Sequence, residues 1–180
     1  ERYALVKAKL LGTNEDYGDY GDELISLLKP FVYRRYLDYG AVQSLRKLKH
    51  MIESEVRRRS LNNNFKLGQG GIREVEFIAQ VFELMRGGRF EELRERSLRK
   101  TLKNIRALDL LPENICTLLD DCYVYLRRLE NVIQEFSDKQ TQTLPDNEKD
   151  CARMLVAMNY QDKETFLHDL DEVMGAVHEE

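Results

Sequence analysis

The sequence predicts an all-α protein, a bundle of about six to eight helices with no substantial sheet. Three observations lead there. Apolar residues recur at three- and four-residue steps, the alternation of half-buried strands is missing, and the connections between periodic stretches are short. At 180 residues, 42% hydrophobic and 33% charged, the chain reads as a single helical domain over 1–180, with possible sub-lobes at 1–65 and 66–180.

The first expected helix runs from about Arg2 to Leu11, followed by an acidic Gly/Tyr loop from Asn14 to Gly21 and by helices on either side of Pro30. Ala41, Val42, Leu45, Leu48, Ile52 and Val56 then mark one long helix from about Tyr39 to Ser60, stopped by Leu61-Asn62-Asn63-Asn64. From about Ile72 to Met85, Ile72, Val75, Ile78, Ala79, Phe82 and Met85 share one face, with Phe77, Val81 and Leu84 beside it, and Gly87-Gly88 ends that helix. Another starts at Ser97 or Arg99 and reaches Leu108. Pro112 opens the longest pattern, in which Ile115, Leu118, Leu119, Cys122, Leu126, Leu129, Ile133 and Phe136 follow a near-heptad stripe. Ala152, Leu155 and Val156 make a short helix, and Phe166, Leu167, Leu170, Val173, Met174 and Val177 a last one. Leu67 and its neighbours are compatible with a brief extended piece.

Composition excludes several classes. The apolar runs are too short to span a bilayer, so no membrane partner is expected. Cys116, Cys122 and Cys151 are odd in number, and the first two sit in an apolar helical pattern, which predicts buried thiols in a reducing cytoplasm rather than a disulfide framework. His50, His168 and His178 share no ligand spacing with them, so no zinc-type site is expected. A start at Glu1-Arg2-Tyr3-Ala4, without initiator Met or signal-peptide pattern, leads to the expectation that the chain is a piece of a longer protein.

The net charge of −4 is unevenly distributed. Residues 34–73 hold ten Lys/Arg against Asp38, Glu53 and Glu55, a local excess of +7, while the remainder sums to −11. Such a field gathers an anionic partner, although a solvated helix face is the simpler reading for most of these side chains. Arg57-Arg58-Arg59 lacks any accompanying nucleic-acid motif in an otherwise acidic chain, so no nucleic-acid partner is expected.

The basic stretch leads into Lys66-Leu67-Gly68-Gln69-Gly70-Gly71-Ile72-Arg73-Glu74-Val75-Glu76-Phe77, a glycine-rich corner opening a helix. It lacks the Gly-Lys-Ser/Thr of a Walker loop and the last glycine of a dinucleotide fingerprint. Its expected chemistry is anion binding: Gly68, Gly70 and Gly71 would present backbone N–H groups at a helix start, with Lys66 and Arg73 adding charge. The alternative is a tight interhelical turn. Glu74 and Glu76 lie two apart on a helix, about 200° from each other, and cannot share an ion unaided. They are expected instead to orient Arg73 or the Arg57, Arg58 and Arg59 cluster. Asp169-Leu170-Asp171 fails as a metal pair for the same reason.

With its flanks, the corner closely resembles the glutamine synthetase adenylyltransferase/adenylyl-removing enzyme family. That family's pattern, Lys-Leu-Gly-Arg-Gly-Gly-Ile-Arg-Glu-Ile-Glu-Phe, is matched from Lys66 to Phe77 except at Gln69 and Val75. Pro30-Phe31-Val32-Tyr33-Arg34-Arg35-Tyr36-Leu37-Asp38 is similar to its upstream segment. Leu126-Arg127-Arg128-Leu129-Glu130-Asn131 and Gln140-Thr141-Gln142-Thr143-Leu144-Pro145 are similar to its downstream helix and loop.

The resemblance implies an intact enzyme of two similar halves, each a nucleotidyltransferase fold followed by a helical domain, that adds AMP to and removes AMP from a tyrosine of glutamine synthetase. Ile72-Arg73-Glu74 resembles the N-terminal, deadenylylating half. The intact enzyme would use Mg and ATP, ADP or phosphate, and would partner glutamine synthetase and the PII regulatory protein. The Gly-Ser and Asp-x-Asp metal site of the family has no match here, so no catalytic residue and no bound cofactor are expected in this chain. The expected site set is Lys66, Gly68, Gly70, Gly71 and Arg73 for nucleotide or phosphate, supported by Glu74, Glu76, Arg57 and Arg58. Two other readings stay open: a module docking PII or glutamine synthetase, and the related domain of a PII uridylyltransferase, which has a similar Gly-Gly-Leu-Arg-Asp corner.

Overall fold

The computed structural model describes residues 2–12, 16, 18–34, 39–58, 64–137 and 142–180. Arg35, Asp38, Arg59, Leu61-Asn62-Asn63, Gln140 and Thr141, all used above, lie outside the described residues. Among the described residues there are eight α-helices and no strand: α1 Arg2–Leu5, α2 Tyr20–Val32, α3 Tyr39–Arg58, α4 Ile72–Arg86, α5 Leu98–Ala107, α6 Glu113–Ser137, α7 Glu148–Met158 and α8 Lys163–His178. A 3-10 turn covers Glu91–Leu93, and a single antiparallel bridge joins Asn64 to Thr143. No helix among the described residues is long and apolar enough to cross a membrane.

The contacts cluster into two compact units with boundaries different from a single cut near residue 65: residues 1–46 with 78–110, and residues 47–77 with 111–180. Helices α3 and α4 each contribute to both units, which is why no one break in the sequence divides them.

In the second unit, α6 packs against α7 and α8. Its stripe of Leu126, Leu129, Val132 and Ile133 meets Phe65, Ile72, Met154, Met158, Phe166 and Leu170 in one core. Side-chain caps fix the two short helices. Asn147 accepts from the Asp150 N–H at 2.8 Å, and Asp162 accepts from the Thr165 N–H at 2.8 Å. At the far end of α7, Asn159 adopts φ 68° and the Tyr160 N–H returns to the Leu155 carbonyl at 2.8 Å, a left-handed cap. Val156 is 78% exposed. The buried side chains of α7 are Cys151, Met154 and Met158, one helical turn apart, and Val156, two residues from each methionine, lies on the opposite face. All three cysteines are buried thiols outside any disulfide.

In the first unit, Val6, Val32 and Leu84 form a small core with Tyr3, Leu5, Tyr33 and Leu45. Two expectations fail here. The first helix ends at Leu5 rather than Leu11. The chain leaves it where Lys7 pairs with the buried Glu83 and donates to the Glu95 carbonyl at 2.7 Å. Pro30 does not separate two helices but lies in the last turn of α2. There it removes only one intrahelical donor, and the Tyr33 N–H still closes on the Lys29 carbonyl at 2.8 Å. Glu83 is fully buried; Oε1 accepts from Thr101 Oγ1 at 2.7 Å, whereas Oε2 has no partner among the described residues. Burial pushes its carboxyl above the ordinary range, against the opposing pull of Lys7 and Thr101.

Candidate anion cleft at the glycine corner

Asn64 builds the corner. Its Oδ1 accepts from the N–H groups of Lys66 at 3.0 Å and Leu67 at 2.8 Å, and its carbonyl accepts from Gly68 at 2.6 Å. The chain then folds back, with Ile72 N–H on the Phe65 carbonyl at 3.1 Å and Arg73 N–H on the Lys66 carbonyl at 3.0 Å. Gly70 takes φ 70° and lies so close to α8 that a Cβ would fall 1.7 Å from the Met174 carbonyl oxygen. At Gly71 a Cβ would come within 2.7 Å of the Phe65 carbonyl oxygen. Both glycines are therefore required by close approach.

This geometry corrects the expected role of the amides. Gly68 donates to Asn64, Gly70 to Glu74 Oε2 at 2.7 Å, and Gly71 to the Gly68 carbonyl at 3.1 Å. The Glu74 and Val75 N–H groups reach the Gly71 carbonyl at 2.9 and 3.4 Å. The helix start thus spends its first donors internally, and Gly68, Gly70 and Gly71 offer no free N–H to a ligand. With the three glycine amides committed, the positive charge available to an anion here comes from side chains.

Those side chains line a cleft of about 260 Å³ between the second half of α3, the corner and the first turns of α4. Ile52, Val56, Leu67 and Phe77 form its apolar wall, and Lys49, Arg57, Arg73, Gln69, Glu53 and Glu74 its polar one. Arg73 is exposed, and its guanidinium has no ion pair or hydrogen-bond partner among the described residues. Arg57 is held loosely, 3.8 Å from Glu53, and Lys49 lies 3.5 Å from Glu74. Three cations against two carboxylates leave the cleft net positive, with one planar five-donor fork unspent.

The other expected site residues are placed differently. Lys66 does not line the cleft; its ammonium lies 2.9 Å from Glu130 Oε1. Glu130, 3% exposed, also accepts from Arg127 at 2.5 Å, and Arg127 reaches Glu76 at 2.7 Å and the Tyr123 hydroxyl at 3.0 Å. Burial alone would raise the Glu130 carboxyl, but hydrogen bonds from Lys66 and Arg127 outweigh it and hold it below the ordinary range. Arg58 forms a two-pronged pair with Glu55, at 2.7 and 2.9 Å, and stays out of the cleft. The carboxylates expected to orient Arg73 or the Arg57 cluster instead serve Lys49, Gly70 and His178 in the case of Glu74, and Arg127 in the case of Glu76. Sequence reasoning missed Asn64, Lys49 and His178 as parts of this site. An Asn four residues before a glycine corner is a readable turn signal, whereas His178 arrives from 104 residues beyond Glu74 and carries no local signature.

The donor set does not suit a magnesium ion. Both Glu74 oxygens are engaged by Gly70, His178 or Lys49, and the rest of the polar wall is mostly cationic. Elsewhere among the described residues, His168, Asp169 and Glu172 bring ligand atoms near one another on the exposed side of α8.

Comparison with known proteins agrees with the corner's sequence. A family model described as GlnD PII-uridylyltransferase matches residues 46–180, three quarters of the chain. The bifunctional glutamine synthetase adenylyltransferase/adenylyl-removing enzyme of Psychromonas ingrahamii (strain DSM 17664 / CCUG 51855 / 37) is 52% identical over all 180 residues, which span 19% of that enzyme's length. The chain belongs to the GlnD PII-uridylyltransferase domain family, and along its whole length it is similar to a glutamine synthetase adenylyltransferase/adenylyl-removing enzyme.

Proposed function

We propose that this chain is the helical part of a bifunctional enzyme that adds AMP to and removes AMP from a tyrosine of glutamine synthetase, and that it serves the deadenylylating half. The cleft beside the glycine corner receives a phosphate-bearing group, either of the nucleotide or of the orthophosphate that attacks adenylyl-tyrosine. The observation that carries this reading is Arg73, a guanidinium unpaired among the described residues, lining a cleft that also holds Arg57 and Lys49. Phosphoryl-transfer catalysis consists largely of positioning and charge neutralisation, which is what these three side chains can supply. The metal-binding carboxylates, the ATP site and the catalytic strand pair belong to other parts of the longer protein. Mg, ATP, ADP and phosphate are its cofactors and substrates, and the setting is cytoplasmic.

A docking role for PII or glutamine synthetase is the second reading. One observation favours it: Tyr20, Leu24, Leu27 and Phe31 on α2 are all exposed, at 79, 45, 65 and 39%, and follow heptad spacing. The deciding experiment is Arg73→Ala in the full-length enzyme, followed as release of AMP from adenylylated glutamine synthetase. Slowed release with retained binding of both proteins supports the cleft reading. Unchanged turnover with weakened protein binding on substitution of Leu27 supports the docking one.

A further inference from the structure

The Nδ1 of His178 lies 3.3 Å from both carboxylate oxygens of Glu74, and its Nε2 lies 3.1 Å from the side-chain amide of Gln69. A carboxylate only accepts, so Nδ1 carries a proton whether the ring is neutral or charged. The proton that comes and goes is therefore the one on Nε2, where the partner is Gln69. A bare Nε2 accepts from the amide NH2; a protonated one must donate, and the amide has to turn its oxygen to the ring. Gln69 is exposed and lines the cleft beside Arg73. Turning its amide exchanges the atom held away from the ring, an oxygen that repels an anion, for an N–H that binds one.

We propose that His178 is a proton-controlled positioning residue: protonation at Nε2 turns the Gln69 amide and switches on an additional anion donor in the cleft. The inference rests on the cleft's being an anion site. A second effect has the same sign. Lys49 sits 3.5 Å from Glu74 Oε1, an oxygen it shares with His178, so a charged ring satisfies more of Glu74 and frees Lys49 for the ligand. The groups around the ring are thus Glu74 from α4, Lys49 of α3 behind it and Gln69 of the corner, with Arg73 in the same cleft and Glu179 and Glu180 following on its own segment. Gln69 stands where the resembled pattern has Arg, so a permanent charge is replaced by a conditional donor.

The test uses the 180-residue chain labelled with nitrogen-15, and sulfate as the probe because its charge is constant across the range. Sulfate affinity is measured at about pH 5.5 and about pH 8, an interval that spans imidazole titration. We expect at least about fivefold tighter binding at the lower pH. The dependence should vanish in His178→Gln and shrink in Gln69→Met. It should survive in His50→Gln, which removes the imidazole 3.5 Å from Glu53. Without any ligand, the Gln69 side-chain amide resonances should titrate together with the His178 ring. An amide signal indifferent to pH, or an unchanged pH dependence in His178→Gln, overturns the proposal. Absence of sulfate binding at both pH values overturns the anion-cleft reading instead, and the ligand-free amide titration still decides whether the switch exists.

Discussion

Gly70 and Met174 touch through their backbones: a methyl group placed on the Gly70 Cα would overlap the Met174 carbonyl oxygen at 1.7 Å. The corner is thereby seated on α8, and the same contact brings His178, one turn further on, against Glu74 and Gln69. Gly70→Ala should force both a left-handed backbone and a displacement of α8. A loss of about 3 kcal/mol or more in denaturant unfolding is expected. Gly175→Ala is the control, because a Cβ there meets nothing within 4 Å. Inside a helix that change should stabilise by about 0.5–1 kcal/mol.

Glu130 is the buried centre of a chain of charges running from Lys66 through Arg127 to Glu76. Glu130→Gln should cost about 3 kcal/mol, because two cations lose their shared partner in a mostly buried place. The sign with pH follows from the lowered carboxyl. The pair's stabilisation is fully present above the unfolded glutamate value of 4.5 and is lost as pH falls through the lower folded value. Acid unfolding monitored by circular dichroism should therefore be steeper in the wild type than in Glu130→Gln.

The long helices were legible because each buries one continuous face. Ile52 and Val56 in α3, Ile72 and Val75 in α4, and Leu126, Leu129 and Ile133 in α6 repeat at helical spacing whatever they pack against. Local rules failed where a distant partner decides the outcome. α1 stops at Leu5, and the residues after it are tied instead to Glu83, 76 residues away, through Lys7. The three corner glycines were recognisable, but their purpose was not: only the position of Met174 reveals that Gly70 is there for close packing, and only the hydrogen bonds show its N–H already committed to Glu74. Charge alone made Lys66 and Arg73 look equivalent. Burial of Glu130 on the α6 stripe claims the first and leaves the second to the cleft.

Glu83 should give the opposite pH signature to Glu130. Its carboxyl is raised, so the folded state is favoured below the unfolded value of 4.5 and that advantage is lost as pH rises through the higher folded value. Glu83→Gln keeps the shape, supplies a neutral acceptor for Thr101 and leaves Lys7, 29% exposed, free to turn to water. Hydrogen exchange at residues 3–8 should become less dependent on pH in this variant. Lys7→Met is expected to speed exchange there, and more so at neutral than at acidic pH, because the unpaired carboxylate cannot be buried without its proton.

Arg73 separates charge from geometry. Arg73→Lys keeps one positive charge but loses the planar fork that grips two oxygens of a phosphate, whereas Arg73→Ala loses both. If the guanidinium neutralises charge that develops during AMP removal, Arg73→Ala should lower kcat of the full-length enzyme by about a hundredfold, with Arg73→Lys between it and the wild type. Arg153→Ala, which removes a surface cation of α7 that pairs with Asp150 at 3.2 Å, should leave kcat unchanged. The unfolding midpoints of both Arg73 variants should match the wild type, since the side chain is exposed and has no partner to lose among the described residues. A fall in KM affinity with kcat intact would instead make Arg73 a contributor to ground-state binding alone, and steady-state kinetics over a range of phosphate concentrations distinguishes the two.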